Sequence, residues 1–327
     1  MTSVRAGVWI GLVVVLALAV TAGLGGGSVP IAPVDVWRAL LGDGDHFVVS
    51  IVRDLRLPRI ALSVIVGAGL AASGTALQAT LRNPLAEPYL LGVSGGAAVG
   101  AVAGVVLGLS SPALLPVAAF GGAIAAVVLV LLVARASGAH ADPRVLLMAG
   151  VVVGAFCNAA IMVALATAPE DTVRGALWWM MGSVGDAQWA TVRGIALYVA
   201  IGFGLLVWWG RDIDVLALGE DAAASLGLDV ERVTRRIFLT ASLLAAATVA
   251  GAGLIGFVGL VVPAIARALG ARATRETVLA SALAGAALVV LADLVARTVL
   301  RPAELPLGAV TALIGVPFFL WRLRGVR

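Results

Sequence analysis

Residues 88–134 read PYLLGVSGGAAVGAVAGVVLGLSSPALLPVAAFGGAIAAVVLVLLVA, 47 positions without one charged side chain. A helix needs roughly 20 apolar residues to cross the hydrocarbon core of a bilayer, so the run is long enough for two crossings. Ser110, Ser111 and Pro112 interrupt it near its centre. Proline disfavours helix at its predecessor, and the stretch reads as a helical hairpin within lipid.

The rest of the chain has the same character. Of 327 residues, 61% are hydrophobic and 12% charged, and the mean hydropathy is +1.10. That is more apolar surface than one water-facing core buries, and the chain reads as an all-α polytopic membrane protein. All 22 basic residues are arginine. A P-loop needs a lysine on the nucleotide phosphates, so the chain carries no such site of its own. One cysteine, Cys157, excludes an internal disulfide, and His46 and His140 are too isolated to suggest a metal cluster. The net charge of +4 fits loops held at a cytoplasmic face better than nucleic-acid binding.

Charge-free stretches convert into crossings. Residues 6–34, 60–81, 145–169 and 194–210 supply one each, and 88–134 supplies two. Residues 237–266 are interrupted by GAGLIGFVG and Pro263, and read as a full helix to about residue 254 followed by a short, partly inserted helix over 257–269. Residues 277–292 and 305–321 bring the total to about ten transmembrane helices. The first segment follows Arg5 and is longer than a signal core, so it is expected to remain as a helix. An even count puts both termini on one side. If that side is the cytoplasm, 14 arginines lie inside and 8 outside, in keeping with the positive-inside bias. A shift of 177 positions superposes Arg59-Ile60 on Arg236-Ile237, Gly74 on Gly251 and Leu77 on Leu254. The two helices run in opposite directions, which predicts an inverted repeat of helices 2–5 and 7–10.

Several clusters invite functional readings. Gly92, Gly96, Gly100, Gly104 and Gly108 recur every four residues and predict a groove for close helix packing. Ser94 in GVSGG has no histidine or lysine base in any crossing, which argues against an intramembrane hydrolase. An ion-coupled carrier needs titratable groups at membrane depth. Asp293 is the nearest to that description, and Arg297 four residues on suits a local ion pair instead. Arg53, Arg56 and Arg59 gather at the outer mouth of the second crossing, where Arg297 and Arg301 join them, as a surface for lipid phosphate or an acidic partner. Residues 217–236, ALGEDAAASLGLDVERVTRR, carry seven charges in twenty positions. Acids before a run of alanines, with Gly227 to end it, predict a small surface helix on a cytoplasmic loop.

The stretches RNPLAEPYLLGVSGG, WWMMGS, LGEDAAASLGLD, GLIGFVGLVVPAIAR and AELPLGAVTALIG resemble the FecCD-type permeases, the membrane subunits of ABC importers for ferric siderophores, haem and cobalamin. The likeness covers nearly the whole chain. It implies one transmembrane permease domain over 1–327, of type II ABC importer architecture, in a bacterial cell membrane. It implies pairing with a second copy or a paralogue, with two separate ATPase subunits carrying ATP and Mg, and with an extracytoplasmic binding protein. No cofactor is implied in this chain. Residues 211–236 become the coupling loop, with Glu220, Asp221, Ala222, Ala223 and Gly227 matching the family's ATPase-coupling motif. Arg56, Arg59 and Arg297 match its binding-protein docking arginines, and Asn83 and Leu85 match a cytoplasmic gate. Pro143 and Arg144 depart from the pattern, standing where relatives carry small hydroxyl residues at a second constriction. Ferric siderophore is the expected cargo, with cobalamin or haem as alternatives.

Overall fold

The structure is a computed structural model that describes residues 6–109, 114–138 and 142–324. The expected hairpin break at Ser110, Ser111 and Pro112, His140, and the terminal Arg5 and Arg327 lie outside the described residues. Regular structure among those residues is helical throughout. The first elements are α1 (Ala6–Gly25), α2 (Pro33–Leu41) and α3 (His46–Ser50), the last joined through a widened turn at Ile51–Arg56 to α4 (Leu57–Thr80). Then come α5 (Val93–Val106), α6 (Leu114–Ala136), α7 (Pro143–Ala166), α8 (Glu170–Met180) and α9 (Trp189–Trp208). Two short helices, α10 (Gly210–Leu216) and α11 (Glu220–Ser225), precede α12 (Val230–Ala252), α13 (Val258–Ala268), α14 (Thr274–Ala296) and α15 (Leu307–Arg324).

Caps explain several boundaries. Asp142 accepts from the Arg144 N–H at 2.7 Å and Pro143 occupies the first position of α7, so the departure at 143–144 is a helix start. Asp229 accepts from the Arg232 N–H at 3.0 Å, which begins α12 seven residues before the charge-free run.

The count of ten full crossings is not reached. Seven segments among the described residues are long and apolar enough to span: α1, the continuous stretch from His46 to Thr80, α6, α7, α9, α12 and α14. Val93–Val106, Val258–Ala268 and Leu307–Leu320 are shorter apolar helices. The 14 residues of α5 reach only about 21 Å, short of a hydrocarbon core of roughly 30 Å. Charge-free length had included the separate 3-10 turn Pro88–Leu91 before α5 and the turn residues 107–109 after it.

Helices α4, α12 and α14 lie at the centre, with 78%, 72% and 61% of their apolar windows buried, against 22% for α1 and α9. Lipid gives no hydrophobic drive between helices, so close backbone approach has to hold them. A Cβ at Gly67 would overlap the Gly285 carbonyl of α14, and one at Gly74 would overlap the Gly259 carbonyl of α13. The middle of the glycine stripe packs as expected, with Gly96, Gly100 and Gly104 of α5 facing Gly122, Ala118 and Leu115 of α6. Gly92 precedes α5 and meets Gly150 of α7, whereas Gly108 follows α5 and meets nothing within 4 Å. Buried hydroxyls add cross-links from α4. Ser73 donates to the Ala241 carbonyl at 2.7 Å, and Thr75 lies 3.0 Å from the Ser281 hydroxyl.

The contacts around Gly74 set a test. Gly74→Ala should separate α4 from α13 and cost about 1–3 kcal/mol, lowering the melting temperature of the solubilised protein. Gly121→Ala, where an added Cβ meets nothing within 4 Å, should melt like the parent.

Candidate functional site

Helix α4 has Arg59 in its first turn and is followed by Arg82, so two candidate regions lie at opposite ends of a helix of 24 residues, about 36 Å long. The far end holds the polar loop. Gly219 at φ +118° starts α11, Glu220 and Asp221 fill its first turn, and Gly227 at φ +83° ends it. Gly227 permits a C-terminal cap in which the Leu228 N–H donates to the Ala223 carbonyl at 3.0 Å. The acid-alanine-alanine pattern divides by burial. Ala223 is buried against the bundle, while Glu220, Asp221 and Ala222 face out. Leu218 and Leu226, 67% and 66% exposed, flank the acids. Motif matching missed these two, and only their apolar character within a polar loop singled them out.

This knob is braced on several sides. Asp214 of α10 accepts from the Thr274 N–H at 2.8 Å, capping α14, whose own N-cap Ala273 has no side-chain acceptor. Arg275 donates to the carbonyls of Val207 and Trp208 at 3.0 and 3.2 Å, at the end of α9. Asp212 pairs with Arg236 of α12, whose guanidinium stacks 4.9 Å from the Trp209 ring centroid. Asp214→Ala should cost about 1 kcal/mol in thermal unfolding, and Asp214→Asn, which keeps an acceptor, should recover most of it.

Asn83 and Leu85 sit at the same end. The Asn83 side chain accepts from the Leu85 N–H at 2.9 Å and shapes a turn that leaves Leu85 48% exposed. Arg82 beside it reaches Glu220 at 3.4 Å, an exposed pair of little energy that records how near this turn lies to α11. Directly after the turn, Glu87 accepts from the Phe257 N–H at 2.7 Å and the Tyr89 hydroxyl accepts from the Ile255 N–H at 2.8 Å. Two side chains thus satisfy the irregular backbone that links α12 to α13.

Arg53 and Arg301 are exposed at the other end, but the three arginines matched to docking, Arg56, Arg59 and Arg297, do not form one exposed collar with them. Arg56 is 6% exposed and donates to the carbonyls of Leu24 and Gly25 at 2.6 and 2.9 Å, closing the end of α1. Arg297 is 7% exposed, donates to the Gly23 carbonyl, and pairs with Asp293. Arg59 pairs with buried Asp293 at 2.8 Å and grips Glu304 with two bonds of 2.9 Å. Its hydrogen bond to Arg59, the main influence, holds the Glu304 carboxyl below its ordinary range. A depressed carboxylate stabilises the fold above its unfolded pKa and loses that contribution as pH falls through its folded value. Glu304→Gln should therefore destabilise the protein slightly at pH 7, by less than about 1 kcal/mol in thermal unfolding, and the difference should shrink as the pH falls below the ordinary carboxylate range.

The geometry is that of a helical bundle with long apolar segments and a charged region at each end of its central helix. A family model, the FecCD transport family, matches residues 14–325. The Fe(3+)-citrate import system permease YfmE of Bacillus subtilis is 38% identical, covering 96% of this chain and 93% of its own. The cobalamin import system permease BtuC of Halobacterium salinarum is 42% identical over 84% of this chain and 73% of its own. A solved metal-chelate type ABC transporter in an inward-facing conformation superposes with a TM-score of 0.89 at 27% identity, covering 98% of this chain and all of that one. The chain belongs to the FecCD transport family, and its fold is that of a type II ABC importer permease.

Proposed function

We propose that the chain is the membrane path of an ABC importer for a metal chelate, driven through α10 and α11 by ATPase subunits that bind them. The bracing of that knob carries the reading. Asp214 and Asp212 of α10 bond to α14 and α12, and Arg275 ties α14 in turn to the end of α9, so a force passed from α11 through α10 is transmitted to three long helices. The nearness of Arg82 to Glu220 links the same movement to Asn83 and Leu85, which serve as the cytoplasmic gate. In the assembly, a second copy or a paralogue lines the other half of the path, two ATPases hold ATP and Mg, and an extracytoplasmic binding protein delivers cargo.

The proposed topology has ten membrane helices in a bacterial cell membrane, with both termini in the cytoplasm: seven long ones and three short ones that span only together with the residues beside them. The order of 24, 14, 23 and 24 residues in α4–α7 returns as 23, 11, 23 and 18 in α12–α15, which supports the inverted repeat. The cargo is read by class. Relatives named for cobalamin and for hemin, the latter 39% identical, are as similar as those named for ferric citrate. The siderophore expectation therefore gives way to a metal chelate, with cobalamin or haem the better-supported members. A secondary carrier is disfavoured because Asp293 is paired with both Arg59 and Arg297.

Reversing Glu220→Arg with Asp221→Arg in the reconstituted complex should abolish binding-protein-stimulated ATP hydrolysis and leave assembly of the permease pair intact. Full stimulation in that variant would reject the coupling role.

A further inference from the structure

Of the three arginines, only Arg59 contacts an acid that solvent reaches. Its two carboxylate partners differ sharply. Asp293 is 1% exposed on α14 and also bound to Arg297, whereas the Glu304 side chain is 41% exposed. The loop bearing Glu304 is held by its backbone, with the Leu305 N–H donating to the Ala296 carbonyl at 2.8 Å and the Leu307 N–H to the Gly182 carbonyl at 3.1 Å. The Glu304 side chain can therefore swing away while the loop stays. Gly185 lies beside the pair. An added Cβ there would stand 3.5 Å from both Arg59 Nη1 and Glu304 Oε2, so the absent side chain leaves this flank uncovered. Arg59, Arg297, Asp293 and Glu304 balance in charge and Arg56, within reach of Arg297, adds one positive, so an incoming acid meets a weaker attraction while Glu304 stays than after it leaves.

We propose that Glu304 is a built-in stand-in for a partner's carboxylate: it occupies Arg59 in the free permease and gives up that place to an acidic side chain of the docking binding protein. The proposal rests on the reading of Arg59 as a docking residue. One bidentate carboxylate replaces another on the same guanidinium, so the exchange keeps the bond count and Asp293 keeps the arginine aimed. Docking is weakened by the competition, which also favours dissociation once cargo has been handed over. An ion pair with one exposed partner is worth on the order of 1 kcal/mol, so removing the competitor corresponds to a gain of roughly three- to five-fold in affinity.

The test measures binding of the purified cognate binding protein to the full transporter in nanodiscs, at low and high salt. Glu304→Gln should tighten docking roughly three- to five-fold at low salt and steepen its salt dependence, because one more positive charge is uncovered. Glu304→Asp should stay near the parent and shows whether the loop tolerates change. Arg59→Gln should weaken docking, and the Arg59→Gln, Glu304→Gln double variant should bind like Arg59→Gln alone. If Arg59→Gln weakens docking while Glu304→Gln leaves it equal or weaker, the stand-in role is overturned and the docking role survives. If Arg59→Gln has no effect, the docking assignment falls and the stand-in role falls with it.

Discussion

The whole molecule depends on how closely α4 approaches its neighbours. In lipid the apolar side chains of two helices gain nothing from meeting, so association has to come from van der Waals contact and hydrogen bonds. Gly67 and Gly285 bring α4 onto α14, Gly74 and Gly259 bring it onto α13, and Ser73 and Thr75 add bonds to α12 and α14. The same helix carries Arg59 at one end and leads into Arg82, Asn83 and Leu85 at the other. Small residues thus position both charged regions.

Those regions are built on different electrostatic plans. Around α11 the charges are mostly exposed, and the bonds that matter are backbone caps such as Asp214 to the Thr274 N–H. Around Arg59 the charges are partly buried and compensate each other, since an arginine removed from water is costly unless it is paired or bonded to carbonyls. Arg56 and Arg297 meet that cost through the carbonyls at the end of α1, which leaves them as structural ties more than as surface.

Much of this was legible in the sequence. Four-residue glycine spacing predicted the α5–α6 groove, and the interruption before Pro263 predicted a short helix after a long one, seen as α12 and α13. Gly227 announced the end of α11. Crossing lengths were not legible, because absence of charge does not distinguish helix from the extended and turn residues around α5. The pairing of Arg59 with Glu304 was equally hidden: the two lie 245 positions apart, and no local period relates them. Arginine spacing suggested an exposed collar, whereas Arg53 is exposed and the burial of Arg56 and Arg297 follows from their bonds to the end of α1.

The bonds from Glu87 and Tyr89 to the backbone at Phe257 and Ile255 have a mechanical consequence. Residues 83–89 and the root of α13 are stitched into one body, so the turn at Leu85 has no hinge of its own on that side. Displacing it means either carrying α13 along or stripping two amides of their partners in a partly buried linker. If this turn gates the path as proposed, a single loop excursion is a poor way to open it, and its closure would owe as much to the stitching as to the width of a constriction.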